Sequence, residues 1–164
     1  VTKKHFYMKH KDLKLKVTKW NLSGSSYDEL IEKYYFQKNA RNIPIRFVTP
    51  TAFKSNGGYV FMPDVHFIFQ SLINKYNAVC GIDNLDSSEL IEKLADSTHI
   101  IKYDIHSEPF PLEKRRINGC IGDMLIRINA DEDIEQLAKY LLKLGEFSGI
   151  GIKCSIGMGA VRIL

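Results

Sequence analysis

The chain has 164 residues, of which 45% are hydrophobic, 11% aromatic and 26% charged. That apolar content excludes disorder, 11 Gly and 5 Pro exclude a collagen-like or low-complexity chain, and no run approaches the ~20 apolar residues of a membrane span. Twenty-three Lys plus Arg against 19 Asp plus Glu give +4, but seven Lys and one Asp crowd residues 1–20, so residues 21–164 carry 16 basic against 18 acidic groups, a net −2. The length supports one domain with a real core. Cys80, Cys120 and Cys154 are odd in number and never form a Cys-x-x-Cys pair, which disfavours a disulfide scaffold or zinc site and fits a reducing compartment. With no charged-then-apolar leader visible, a cytoplasmic location without a membrane is expected. The first residue is Val1, as in a chain that begins partway through a longer protein.

Leu13-Lys14-Leu15-Lys16-Val17 alternates apolar and basic, the period of a half-exposed strand. Ser26 with Glu29 three residues later reads as a capping box opening a helix whose apolar set is Tyr27, Leu30, Ile31, Tyr34 and Tyr35. A strand follows at Ile43, Ile45 and Phe47, then the turn Ser55-Asn56-Gly57-Gly58 and a short strand around Tyr59–Phe61. Pro63-Asp64 starts an amphipathic helix with Val65, Ile68, Phe69, Leu72, Ile73 and Tyr76 on one face. Asp86 and Glu89 cap a shorter helix with Leu90, Ile91 and Leu94. Ile101, Tyr103 and Ile105 alternate, and Met124, Ile126 and Ile128 form a second arm after the basic turn Lys114-Arg115-Arg116. The last helix opens on Asp131-Glu132-Asp133, suited to its dipole, carries Ile134, Leu137, Ala138, Leu141 and Leu142, and is expected to stop at Gly145. Ala160–Leu164 reads as a terminal strand.

The order is thus β-α-β, a two-helix insertion, then β-β-α-β. Without the insertion this is the split βαβ: an α+β, ferredoxin-like (RRM-like) antiparallel sheet with helices on one face. No internal repeat or linker interrupts it.

Four of the 11 glycines fall in Gly149-Ile150-Gly151-Ile152-Lys153 and Gly157-Met158-Gly159. A dinucleotide fingerprint must follow a strand and open a helix, and here the order is reversed; a Gly-Lys-Ser/Thr is absent as well. Glycines bring backbone N–H groups close to an anionic backbone, and Lys153, Ser148 and Ser155 are placed to add phosphate contacts. The competing reading is a bend that lets the last strand enter the sheet.

The stretch Leu144 to Gly159 closely resembles the C-terminal signature of the CRISPR repeat-processing endoribonucleases of the RAMP superfamily. Phe47-Val48-Thr49-Pro50-Thr51-Ala52-Phe53-Lys54, followed by Phe69-Gln70-Ser71-Leu72, looks like the same family's mid-domain pattern. The resemblance covers roughly residues 10 to 164. It implies the C-terminal of two ferredoxin-like domains, spanning 1–164, with residues 1–10 as the connection to an N-terminal domain. It also implies metal-independent cleavage of precursor CRISPR RNA within its repeats, leaving a 2′,3′-cyclic phosphate and yielding guide RNAs for antiviral defence. The acid–base His of such enzymes, often with Tyr or Lys, comes from the N-terminal domain, so no catalytic residue is carried over. Gly149, Gly151, Lys153, Gly157 and Gly159 match the family's loop for RNA binding and domain packing. Implied partners are CRISPR repeat RNA, the N-terminal domain and other CRISPR-associated subunits, with no metal and no cofactor. The alternatives are a noncatalytic RNA-binding family member and a structural subunit of a CRISPR ribonucleoprotein.

Other candidates are weighed residue by residue. Cleavage of RNA without metal needs a group to activate the 2′-OH and one to protonate the leaving oxygen, and His suits both. His66 reads as a helix residue beside Val65, His106 shares a strand face with Lys102 and Asp104, His99 stands alone, and His5 and His10 lie among lysines near Tyr7. Lys114, Arg115 and Arg116 form either a phosphate contact or a solvated hairpin tip. Lys14 and Lys16 read foremost as guards of an exposed strand, with an RNA-facing sheet side as the other reading, and Trp20 as a base-stacking candidate. Lys54 and Asn56 sit on a hairpin. Tyr34, Tyr35 and Tyr76 read as core.

Overall fold

A computed structural model describes residues 5–19, 21, 24–35, 41–80, 85, 87–112 and 115–164. Trp20, Asp86 and Lys114 lie outside the described residues, as do the side chains of His10, Tyr27, Tyr34 and Cys80. In chain order the elements are β1 (His5–Met8), β2 (Leu13–Lys16), α1 (Tyr27–Leu30) continued by a wider π turn (Ile31–Tyr35), β3 (Asn42–Thr51), β4 (Phe53–Ser55), β5 (Gly58–Val60), α2 (Val65–Cys80), α3 (Ser87–Asp96), β6 (Thr98–Pro111), β7 (Arg116–Ile128), α4 (Glu132–Ser148) and β8 (Val161–Ile163).

The main sheet has the order β6-β7-β3-β8, with every neighbouring pair antiparallel. The third strand of the βαββαβ unit lies between the first two, the split βαβ of a ferredoxin-like fold. The class is the one expected, but the first strand is β3 and not Leu13–Lys16. The pair α2 and α3, expected as an insertion, supplies the crossover from β3 to β6. Leu13–Lys16 pairs instead with β1, Phe6 opposite Leu15 and Tyr7 opposite Lys14. The turn between them places Asp12 in the left-handed region (φ 47°) and ties its carboxylate to the Tyr7 hydroxyl. Closing a short loop costs less chain entropy than joining a sheet far along the sequence.

Alternation on β3 and β7 sends Ile43, Ile45 and Phe47, and Met124, Ile126 and Ile128, into one face of the sheet. That face is covered by Ile68, Phe69, Leu72 and Ile73 of α2, Ile91 and Leu94 of α3, and Ile134, Ala138, Leu141 and Leu142 of α4. Helix starts follow the sequence signals. Ser26 Oγ accepts the Glu29 N–H at 3.2 Å while Glu29 accepts the Ser26 N–H at 3.0 Å, a closed capping box. Asp64 accepts the His66 N–H at 2.8 Å, and Asp131 accepts the Ile134 N–H at 3.0 Å, a bond that holds the Asp131 carboxyl below its usual range. Gly145 is not the stop of α4, which runs on to Ser148. It lies at the crossing with α2, where an added Cβ would meet Leu72 at 3.0 Å and Ile150 at 3.2 Å. The stop is Gly149, whose N–H returns to the Gly145 carbonyl.

The glycine-rich segment 149–160 lies on the bulged end of β3. Two of its glycines have no room for a side chain: at Gly151 (φ +85°) a Cβ would overlap the Ala52 carbonyl oxygen, and at Gly159 (φ +74°) the Ile150 carbonyl oxygen. Beneath the segment, Met158 joins Ala52 and Ile117 in a second buried cluster that also holds Phe110, Leu112 and Ile152. The segment is thereby fastened to the turn end of the β6–β7 hairpin. Leu72→Ala is expected to lower stability by about 3 kcal/mol, read as a fall in the urea midpoint at unchanged slope. Gly151→Ala forces a side chain into a carbonyl at positive φ and should cost about 2 kcal/mol or more; a midpoint within error of wild type would contradict the packing described.

Candidate nucleic-acid interface

The expected mode of contact at the glycine-rich segment was open backbone N–H groups. The structure differs: the N–H groups of the four glycines are already used inside the protein. Gly149 N–H donates to Gly145, Ile150 to Gly159, Ile152 to Ala52, Gly157 to Cys154 and Gly159 to Pro50, all to carbonyl oxygens at 2.8–3.2 Å. Gly151 N–H donates to Ser71 Oγ at 2.7 Å, and Ala160 N–H to Thr49 Oγ1 at 2.9 Å. Ser148 turns its hydroxyl onto the Gly149 carbonyl. Glycine here serves backbone-to-backbone packing, and the parts left facing outward are Ser155, Ile156, Gly157 and Ala160, with Lys153 half-buried beside them. Lys153 is held in the left-handed region at φ 55°, uncommon for a residue with a side chain. Its ammonium makes no hydrogen bond or ion pair among the described residues.

Arg115 and Arg116 stand exposed at the tip of the β6–β7 hairpin, where the Leu112 N–H donates to the Arg115 carbonyl at 2.8 Å. The Arg115 guanidinium lies over the Tyr59 ring, 5.8 Å from its centroid. Tyr59 pairs across the β4–β5 hairpin with Lys54, so both project from one face, and both are exposed. Lys54 in turn borders a cleft whose far side is Gly151 and Ile152. The basic tip at Arg115 and Arg116 and the glycine-rich segment at Gly151 and Ile152 are thus approached from two sides by the β4–β5 hairpin, through Tyr59 and through Lys54. In the sequence Tyr59 stands out only as the start of a short strand; a hairpin centred on Asn56-Gly57 pairs 54 with 59 and is the signal for its place beside Lys54.

The open face of the main sheet is different. Arg162, Arg46, Asp123 and Asp104 fall in one row across β8, β3, β7 and β6. Arg46 grips Asp123 with two bonds of 2.7 and 2.9 Å, which holds the Asp123 carboxyl below its usual range and raises the guanidinium. That row neutralises itself. Lys14 and Lys16 are not part of the sheet; with His5 and Tyr7 they share one face of the exposed β1–β2 hairpin.

His66 is half-buried on α2 with its ring edge-on to Phe67. His99 and His106 lie exposed on β6, opposite Arg127 and Ile121, seven residues apart on one strand. The described histidines therefore do not converge. Burial pushes the Cys120 thiol up to about 12, which keeps it neutral and unreactive near neutral pH. Tyr35 and Tyr76 pack on the core as expected. Among the described residues no group of three or more His, Cys, Asp and Glu side chains could hold a metal ion, and no helix is long and apolar enough to cross a membrane.

The family model for the CRISPR-associated endoribonuclease Cas6 matches residues 45–161. The chain is 33% identical over 158 residues to a CRISPR-associated endoribonuclease Cas6 of Mycobacterium tuberculosis, covering 96% of this chain and 50% of that protein. It is 31% identical over 150 residues to the Streptococcus thermophilus protein of the same name, covering 92% of this chain and 62% of that one. Among solved structures, a Thermus thermophilus Cas6 superposes with a TM-score of 0.72 at 26% identity, over 85% of this chain and 58% of that chain. The chain thus spans about half to three fifths of the length of these relatives. With a matching family model over most of its length and relatives above 30% identity, the chain belongs to the Cas6 family of CRISPR-associated endoribonucleases.

Proposed function

We propose that this chain is the RNA-holding, C-terminal ferredoxin-like part of a metal-independent endoribonuclease that cleaves precursor CRISPR RNA within its repeats. The observation that carries this reading is the run from Arg115 over Tyr59 and its cross-strand partner Lys54 to the cleft edge at Gly151 and Ile152, next in sequence to Lys153, on a chain whose relatives are CRISPR-associated endoribonucleases. A phosphodiester backbone with accessible bases is the ligand such a run fits: cations neutralise phosphates and the tyrosine offers a stacking face. Ser148, Gly149, Gly151, Gly157 and Gly159 shape the loop that presents Lys153, and Lys114, next to Arg115 in the sequence, adds a further cation to the RNA-binding set. The acid–base residues of cleavage come from the part of the protein outside residues 1–164.

In gel shifts with CRISPR repeat RNA, Lys153→Ala and the double variant Arg115→Ala with Arg116→Ala should each weaken binding severalfold. Each lost phosphate contact should also lower the slope of log affinity against log salt by about one. Wild-type affinity in both variants would sink the assignment. For cleavage, the longer protein containing this chain is incubated with repeat RNA in EDTA: a cut product supports the metal-independent nuclease, whereas retention without cutting makes it a noncatalytic carrier. Co-purification with other CRISPR-associated subunits without affinity for free RNA would make it a structural subunit instead.

The face of the β1–β2 hairpin opposite its lysines carries Phe6, Leu13 and Leu15, each more than 40% exposed. A lone two-stranded hairpin is marginal in water, so this apolar face needs a cover. We assign it to the N-terminal domain, with residues 1–10 as the connection. Phe6→Asp with Leu15→Asp should abolish co-sedimentation of this chain with the separately produced N-terminal half, while leaving the urea midpoint of this chain in place. Undiminished co-sedimentation would place the contact elsewhere.

A further inference from the structure

Helix α2 has a second face that meets the core only through Phe67. Phe67, Gln70 and Asn74 recur on it at helical spacing and, with Phe53, Lys54 and Gly151, line a cleft of about 300 Å³. Its walls are of three chemical kinds. Phe67 is stacked on Phe53 with centroids 5.7 Å apart and planes inclined by 23°, which fixes an aromatic wall. Gln70 and Asn74, one helical turn apart, make no hydrogen bond with any described residue, Asn74 exposed and Gln70 half-buried. Lys54 likewise has no ion pair or hydrogen bond among the described residues. Lys75 does not share that freedom. Its ammonium donates to the Gly149 carbonyl at 2.8 Å and contacts Cys154 Sγ at 3.0 Å, pinning the glycine-rich segment against α2.

We propose that this cleft holds one unpaired nucleotide of the bound RNA, its base against Phe67, its edge read by Gln70 and Asn74, and its phosphate facing Lys54. The inference rests on the RNA-binding reading above and specifies a base-reading subsite within it. The volume lies at the small end for ligand sites, suited to one heterocycle and too small for a base pair. A carboxamide carries both donors and an acceptor, so two of them one turn apart match the Watson–Crick edge of a base, which is free only when that base is unpaired. The cleft also lies on that run, between the Lys54–Tyr59–Arg115 side and the Gly151–Lys153 side. Phosphates flanking an inserted base thus meet positive charge in both directions, an arrangement a neutral peptide would not use.

The direct test titrates the ¹⁵N-labelled chain with each of the four nucleoside 5′-monophosphates to about 10 mM, enough for a dissociation constant on the order of 1 mM. The side-chain NH₂ signals of Gln70 and Asn74 should shift saturably with at least one base and stay still with inorganic phosphate. No shift with any of the four overturns the site, and the same shift with phosphate alone reduces it to an anion contact and overturns base reading. In parallel, Gln70→Ala with Asn74→Ala should lower repeat-RNA affinity about tenfold, two hydrogen bonds' worth, at an unchanged urea midpoint. Wild-type affinity in that variant overturns the nucleotide site while the RNA-binding reading stands. Failure of the unmodified chain to retain repeat RNA overturns both.

Discussion

Residues 149–160 lie directly on the end of β3, backbone against backbone, at a distance that only glycine at position 151 permits, while glycine at 159 lets the segment fold back on Ile150. The contact is closed by Ile152 N–H to the Ala52 carbonyl, Gly159 N–H to the Pro50 carbonyl, Ala160 N–H to Thr49 Oγ1, and the Val48 and Thr49 N–H groups to the Ala160 carbonyl. Most of the candidate interface follows from it. The approach turns the chain so that β8 enters the sheet beside β3, and it buries Met158 with Ala52 and Ile117. Through that cluster the position of the β6–β7 hairpin, and of Arg115 at its tip, is tied to the position of Lys153. A side chain at Gly151 would therefore disturb two cationic groups that are 38 residues apart in the chain.

Electrostatics divides the surface in a way that net charge conceals. The pooled +4 comes from the lysines of residues 1–20, and the rest of the chain is slightly acidic. Within that acidic remainder the charges are sorted. Asp123 takes up Arg46 on the open sheet face, Glu135 takes up Lys139 at 2.6 Å and Arg41 at 3.2 Å on α4, and Asp131 takes up Lys93 at 3.4 Å. Lys54 and Lys153 keep no acidic partner among the described residues, and Arg115 sits over an aromatic ring. Unpaired cations pay no exchange penalty when a phosphate arrives, whereas Arg46 would have to leave a bidentate carboxylate. The open sheet face, where RNA-binding proteins of this topology present their stacking residues, is for that reason the less suited surface here.

Local signals were legible in the sequence because they are local. The Ser26–Glu29 box, the Asp64 and Asp131 caps and the alternation on β3 and β7 each depend on residues a few positions apart, and each holds in the structure. The class of fold was legible too, through the order of strands and helices and the resemblance of residues 144–159. Two things were not. Alternation marks Leu13–Lys16 as a strand but cannot say which strand it joins, and the nearby His5–Met8 captures it. Glycine spacing marks a close approach but not its object: Gly151 meets Ala52, 99 residues earlier, rather than a ligand. Gly145 shows the same ambiguity, since a glycine late in a helix pattern fits a stop as well as a helix crossing, and only Leu72 decides between them.

Helix α2 is apolar on one side and chemically mixed on the other. Ile68, Phe69, Leu72 and Ile73 are fully buried and set the height of the helix above the sheet. Ser71 and Lys75, one turn apart, then hold the glycine-rich segment from the flank, by the Gly151 N–H to Ser71 Oγ bond and the Lys75 bond to the Gly149 carbonyl. A helix that both anchors in the core and grips the loop cannot shift without moving Lys153, so the cleft between them keeps its width as the surface around it changes. Rigid placement of that kind is what reading a base by two hydrogen bonds requires, because an error of an ångström would forfeit both. The same sequence property that makes α2 easy to recognise, a strong apolar stripe, is thus also what allows its polar face to hold a fixed position relative to the loop.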